Sequence, residues 1–196
     1  MDFAHIEARI AAYKVDSEFR DDAVGYQCCQ LAFSALKSGD YGVGAVLLDP
    51  EGNPIIFSQN AVFSNGFCSS GHAEMKLLDL YEASYRSKFE PDDLKLVVSL
   101  EPCPMCLSRL ILSGIGIIKY MVDDAVGGMV SRIDHMPPAW RNLASLQSFY
   151  RAHISSDLKL LAKDIAQARM PELRAKLMNE RVGQHEFEVV FDNHRA

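Results

Sequence analysis

The chain has no run of eighteen or more apolar residues, roughly the length a helix needs to cross a bilayer. The first ten residues carry Asp2, His5, Glu7 and Arg9 among their apolar side chains. They are therefore read as something other than a secretory leader, which needs an unbroken apolar stretch behind a basic start. A cytoplasmic location is the resulting expectation. A surplus of positive charge is also missing: 20 Lys and Arg against 26 Asp and Glu leave a net charge of −6. Proteins that live on nucleic-acid backbones usually show a basic patch or stripe, and no such cluster stands out here, so the balance leans toward a small-molecule substrate. Cysteine is scarce and odd in number, with Cys28, Cys29, Cys68, Cys103 and Cys106. That count argues against a disulfide framework. Repeats, low-complexity stretches and Pro/Gly/Ser-rich linkers are absent as well.

What is present is a globular composition, 48% apolar and 23% charged over 196 residues, enough for one ordinary domain with a good core. We expect a single domain over 1–196, with a core at about 22–169 and a C-terminal extension at 170–196. Residues 22 to about 38 place Ala23, Tyr26, Cys29, Leu31, Ala32, Ala35 and Leu36 close to helical spacing. Residues 43–48 and 55–58 read as two strands around the turn Asp49-Pro50-Glu51-Gly52-Asn53, and should pair antiparallel. A helix is expected from 72 to about 87, a strand at 94–100, a helix from 105 to about 113 and a strand at 117–122. The strand–helix–strand unit should be a parallel, right-handed crossover. Gly127-Gly128 and Pro137-Pro138 mark loops, 147–154 a last strand, and 157 to about 169 and 172–181 two further helices. This alternation predicts an α/β domain with helices packed on a sheet.

Two short segments carry chemistry: Gly71-His72-Ala73-Glu74-Met75 and Glu101-Pro102-Cys103-Pro104-Met105-Cys106. Zinc favours imidazole nitrogen and thiolate sulfur in a tetrahedron, and catalytic sites leave the fourth position open. His72, Cys103 and Cys106 supply three ligands of that kind. The Cys-x-x-Cys spacing at a helix start lets both sulfurs face one ion, and the free N–H groups there favour thiolates. Glu74 is the informative addition: a structural zinc site has no use for a carboxylate two residues from a ligand. A hydrolase does, because zinc lowers the pKa of bound water toward ~7 and a carboxylate relays the proton. A lone His-x-Glu is commonly helix surface, and a lone Cys-x-x-Cys can be a redox pair or half a zinc knuckle. The joint pattern, with Cys-x-x-Cys following a strand, matches a zinc deaminase signature.

With those motifs in view, residues 41 to about 128 resemble the cytidine/deoxycytidylate deaminase superfamily, and within it the branch of tRNA adenosine deaminases and guanine deaminases. The resemblance rests on Val43-Gly44-Ala45-Val46, Asn60, His72-Ala73-Glu74, Ser99 to Cys106, and Asp123-Asp124. It implies a three-layer α/β/α fold with an about five-stranded mixed sheet, a Zn2+ cofactor and a homodimer. It also implies that Asn60 hydrogen-bonds the base or sugar and that the backbone N–H of Ala73 contacts the ring or its oxygen. Ala61 stands where many tRNA-acting relatives carry Arg, and Gly42 where Pro or Phe is common. The leading expectation is an aminohydrolase acting on a cyclic amidine: an amino-purine or amino-pyrimidine base, nucleoside or related heterocycle. The alternative is a tRNA adenosine (A-to-I) deaminase. A non-catalytic zinc-binding module comes third, with Glu74 against it. Specificity is expected from the 123–150 stretch. Cys28 and Cys29 read as core candidates, Cys68 and His135 as bystanders, and Trp140 as core.

Overall fold

The computed structural model describes residues 2–182. Its elements run α1 (Phe3–Ala12), α2 (Asp22–Lys37), β1 (Gly44–Leu48), β2 (Pro54–Gln59), α3 (Ala73–Ser84), β3 (Lys95–Val98), α4 (Pro104–Ser113), β4 (Ile117–Tyr120), α5 (Pro138–Ala144), β5 (Ser148–Arg151), α6 (Ser156–Gln167) and α7 (Met170–Val182). Two 3-10 turns, Pro91–Asp93 and Val130–His135, complete it. No helix among the described residues is long and apolar enough to cross a membrane.

The five strands form one mixed sheet in the order β2-β1-β3-β4-β5. β1 is antiparallel to both β2 and β3, while β3, β4 and β5 are parallel. The expected hairpin and the expected parallel pairing across α4 are both found. Every residue of β1 is buried, as a strand covered on both faces requires.

Alternation along the strands divides the core in two. Ala45, Leu47, Leu96, Val98 and Ile118 face the side covered by α3 and α4, packing with Leu77, Leu78, Leu107 and Leu110. Val46, Leu48 and Val97 face the other side, with Cys28, Cys29 and Leu36 of α2 and Leu158, Leu161 and Ile165 of α6. These are the three layers expected from the sequence.

Two helices were not expected. α1 buries Ile6 in the α2/α6 layer, and α5 starts on the Pro137-Pro138 pair that reads as loop. The strands are also shorter at their C-terminal ends than the apolar runs suggest. Ser99 to Pro102 and Met121-Val122 lie beyond the strand ends, where Met121 still donates to the carbonyl of Val98 at 3.0 Å and Glu101 to that of Val122 at 2.8 Å.

Candidate metal centre and adjoining cavity

The two motifs meet because each starts a helix on the same sheet face. His72 is the residue before α3, with extended backbone (φ −68°, ψ 150°). Cys103 takes the same place before α4 (φ −71°, ψ 170°), followed by Pro104 in the first turn, where its missing N–H costs no intrahelical bond. α3 and α4 pack against each other. Arg109 of α4 ties them, donating to the carbonyl of Met75 at 3.0 Å and pairing with Asp79 at 2.7 Å and Glu82 at 3.0 Å.

As a result, His72 Nδ1 lies 3.6 Å from Cys103 Sγ and 3.4 Å from Cys106 Sγ, and all three ligand atoms fall within 4.8 Å of one another. A tetrahedral zinc with sulfur at ~2.3 Å and nitrogen at ~2.0–2.1 Å puts its N and S ligands roughly 3.5–3.6 Å apart. The donor set and its spacing therefore fit such an ion. Among the described residues this is the group of three or more His, Cys, Asp and Glu side chains able to hold a metal.

The electrostatics suit a cation too. The Cys106 thiol hydrogen-bonds Cys103, bringing the Cys103 thiol down to about 4, with the His72 ring also favouring the thiolate. Cys106 is pushed up in turn, by Cys103 first and then by burial. Burial pulls the His72 imidazolium down, but the Cys103 contact outweighs it and the ring is raised overall. Glu74, in the first turn of α3, is only 3% exposed. Burial raises its carboxyl above the ordinary range, against its own backbone N–H.

A cavity of about 280 Å³ opens beside these groups and is lined by His72, Glu74, Cys103 and Asn60, among others. Asn60 is 2% exposed. Its Oδ1 accepts the N–H of Val62 at 3.1 Å. Ala73 buries its methyl in the core and lies outside the cavity lining; as the first residue of α3 its N–H has no intrahelical acceptor. From the 123–150 stretch, where specificity was expected, Asp124 and Gly127 reach the lining. α7 contributes Met170, Arg174 and Leu177 to the lining. That helix docks on Val62 and Phe63 through Leu173, and Tyr41 donates to the carbonyl of Leu173 at 3.2 Å. Nothing in the residue types of α7 announces this; only the packing does. Gly42 follows from the packing as well: a Cβ there would stand 2.7 Å from the carbonyl oxygen of Ile165 in α6.

The remaining candidates sit elsewhere. Cys28 and Cys29 are both fully buried in the α2 layer. Cys68 is exposed and outside the cavity lining, His135 is exposed, and Trp140 packs against the α3/α4 core. Asp123 pairs with Arg151 at 2.8 Å.

The family model for the cytidine and deoxycytidylate deaminase zinc-binding region matches residues 20–122. A segment of 123 residues is 31% identical to the tRNA(Ile)-lysidine synthase of Deinococcus radiodurans, covering 62% of this chain and 21% of that protein. The chain thus spans about a fifth of that relative's length. A structure from a study of A-to-I editing by tRNA:A34 deaminases superposes with a TM-score of 0.55 at 25% identity, over 64% of this chain and 94% of the other. The guanine deaminase of Nitrosomonas europaea superposes with a TM-score of 0.57 at 19% identity, over 81% and 91%; that likeness is one of fold.

Proposed function

The chain belongs to the cytidine and deoxycytidylate deaminase family, and from that premise we propose that it is a zinc-dependent hydrolytic deaminase releasing ammonia from a small amino-heterocycle. The substrate class is an amino-purine or amino-pyrimidine base, nucleoside or relative. The observation that carries the reading is a His/Cys/Cys triangle, its ligand atoms within 4.8 Å of one another, of which His72 and Cys103 line one cavity together with the buried carboxyl of Glu74.

His72, Cys103 and Cys106 would hold the zinc, which when bound lowers the pKa of a water toward ~7 and leaves one position open for it. Glu74 would accept a proton from the attacking water as the water oxygen bonds to the amine-bearing carbon. It delivers that proton to the neighbouring ring nitrogen. It then moves the remaining hydroxyl proton to the amino group, so that the C–N bond breaks and ammonia departs. A carboxyl raised by burial holds a proton more readily midway through such a relay. Asn60 would hydrogen-bond the base or sugar, and the N–H of Ala73 would contact the ring or its oxygen. The net charge of −6 supports a small substrate over a polynucleotide.

A second reading, tRNA adenosine deamination, is favoured by the 25% identity to the tRNA:A34 deaminase structure. Ammonia release from the zinc-loaded protein decides between them, measured on amino-purines, amino-pyrimidines, their nucleosides, triazines and unmodified tRNA. Turnover of tRNA alone would replace the small-molecule reading, and turnover of none would leave a zinc-binding module. We further propose the homodimer that the family resemblance carries, to be tested by light scattering on the eluted protein.

A further inference from the structure

We propose that Asp40, which lies outside the cavity lining, is a positioning residue. It clamps together the two chain segments that carry Tyr41, Val43, Asn60 and His72, and so holds the substrate contact Asn60 in register with the metal ligand His72. For the roles of Asn60 and His72 this rests on the deaminase reading above.

Asp40 owes its place to the end of α2. Gly39 takes the left-handed conformation there (φ 86°), which glycine adopts without a steric penalty. The N–H groups of Gly39 and Asp40 turn back to the carbonyls of Leu36 at 3.1 Å and Ala35 at 3.0 Å. Asp40 is fully buried at this reversal, and the chain runs on into Tyr41 and Val43, which line the cavity. Asn60 donates its backbone N–H to the carbonyl of Val43 at 3.0 Å. Asp40 Oδ1 accepts the N–H groups of Phe63 at 2.6 Å and Ser64 at 3.1 Å. One buried side chain thus ties the segment before β1 to the segment after β2.

The second segment carries this hold to the metal centre. Residues 61–71 close on themselves: Ala61 donates to the carbonyl of Gly71 at 2.7 Å, Gly71 to that of Cys68 at 2.9 Å, and Cys68 to that of Val62 at 2.8 Å. A Cβ on Gly71 would stand 2.6 Å from the carbonyl oxygen of Ala61, so the two ends of the loop meet backbone to backbone. Asn60 precedes one end and His72 follows the other. Slack at Phe63 and Ser64 therefore reaches Asn60 through Val62, whose N–H its side chain accepts. It reaches His72 through the Ala61–Gly71 bond, while Glu74 and Cys103 stay with α3 and α4. Asp40 Oδ2 has no hydrogen-bond partner among the described residues. A buried carboxylate with one oxygen left over is costlier to bury than a neutral side chain making the same two bonds. What it returns is firmness, because a charged acceptor holds an N–H closer and more strongly than a neutral one.

Because both amides share Oδ1, Asp40→Asn keeps a neutral acceptor for them and Asp40→Ala keeps none. Asp22→Asn removes another buried carboxylate, at the other end of α2, and is the comparison for lowered stability alone. Zinc-loaded full-length variants are assayed well below their melting temperatures. The readouts are ammonia release from the best small amino-heterocycle, competition for zinc with a chelator, and amide exchange. In Asp40→Ala, KM should rise about tenfold with kcat little changed, as when a contact made equally in ground and transition state is lost. Zinc affinity should fall about tenfold, the low end of the loss when a ligand's support is removed. The amides of Asn60 and Ala61 should exchange faster. Asp40→Asn should fall between, with KM up about threefold, since its acceptor is neutral. Asp22→Asn should match wild type in all three. Equal changes in Asp22→Asn would make lowered stability the cause and overturn the proposal. Wild-type KM, zinc affinity and exchange in Asp40→Ala would also overturn it. If Asp40→Ala does not fold, Asp40→Asn decides: a raised KM beside an unchanged Asp22→Asn supports the clamp, and a wild-type KM refutes it. If no compound yields ammonia, the deaminase reading fails and the other two readouts decide this one. Weaker zinc binding and faster exchange at Asn60 and Ala61 in the Asp40 variants alone support the clamp, and unchanged values refute it.

Discussion

The Glu101 carboxylate accepts the backbone N–H of Ser131 through Oε1 at 2.7 Å. Its other oxygen accepts the N–H of Asp124 at 2.9 Å, so one buried side chain pins both ends of the 124–131 loop to the strand end that leads into Cys103. Gly128 lies against the same carboxylate, where any Cβ would collide with it. Glu101→Gln replaces one acceptor with an NH2 that faces a backbone N–H. We expect a loss of about 2–3 kcal/mol, since hydrogen bonds to charged groups contribute ~1.5–3 and an unpaired buried donor costs ~1–3. The amides of Asp124 and Ser131 should exchange with solvent markedly faster, and KM should rise because Asp124 and Gly127 line the cavity. Unchanged exchange at those two amides would show that the carboxylate does not hold the loop.

Asp22 anchors a second junction, on the opposite face of the sheet. Its carboxylate accepts the Tyr13 hydroxyl at 2.6 Å and the N–H groups of Asp16 at 2.8 Å and Ser155 at 2.9 Å, joining the segment after α1 to the start of α6. Burial pushes its pKa up, yet these hydrogen bonds outweigh burial and leave it below the ordinary 3.8. A folded pKa below the unfolded one means stability that is complete above about 3.8 and lost as pH falls through the folded value. Burial first, and Asp22 second, push the Tyr13 phenol up to about 12. Its contribution is complete below the ordinary 10.0 and fades as pH rises toward 12. Denaturation curves of Asp22→Asn should show a loss of about 2–3 kcal/mol near pH 7, and the gap to wild type should narrow below pH ~4. A gap that is constant down to pH ~2 would contradict the assignment.

For the metal, purified protein should carry about one zinc per chain, with X-ray absorption distances near 2.3 Å to sulfur and 2.0–2.1 Å to nitrogen. His72→Ala and Cys103→Ser should each lose the ion and the activity together. A Cys103–Cys106 disulfide with no zinc in freshly reduced protein would end the metal assignment.

How much of this was legible beforehand depends on what kind of information each part carries. The ligand triangle was legible because zinc chemistry restricts residue type, and a helix start restricts spacing, so His72 and the Cys103/Cys106 pair point to each other across thirty residues. The strands were legible as apolar runs, but their ends were not. Leu100 and Val122 are as apolar as the strand residues before them, yet both lie beyond the strand ends, and Leu100 lines the cavity. α1 is faint in the sequence: Phe3, Ile6 and Ile10 follow helical spacing, but the charged residues among them leave only a narrow apolar stripe. The roles of Met170, Arg174 and Leu177 could not be read at all. A methionine, an arginine and a leucine on a polar helix are ordinary, and only the docking of Leu173 on Val62 and Phe63 turns that face toward the cavity.

Glu74 gives the sharpest test of the chemistry. Glu74→Gln keeps the volume of the side chain and one carbonyl acceptor in a site that is 3% exposed, so the fold and the zinc should both remain. What it removes is the exchangeable proton. General acid–base catalysis contributes about 10²- to 10⁴-fold, and a residue that moves two protons in succession should sit toward the upper end of that range in kcat. KM should change little, because the amide occupies the same space. The contrast with His72→Ala is the point of the experiment: one variant keeps zinc and loses turnover, the other loses both. Near-wild-type ammonia release from zinc-replete Glu74→Gln on the best substrate would mean that some other group carries the protons, and the relay argued from the His72-Ala73-Glu74 segment would be wrong even with the metal in place.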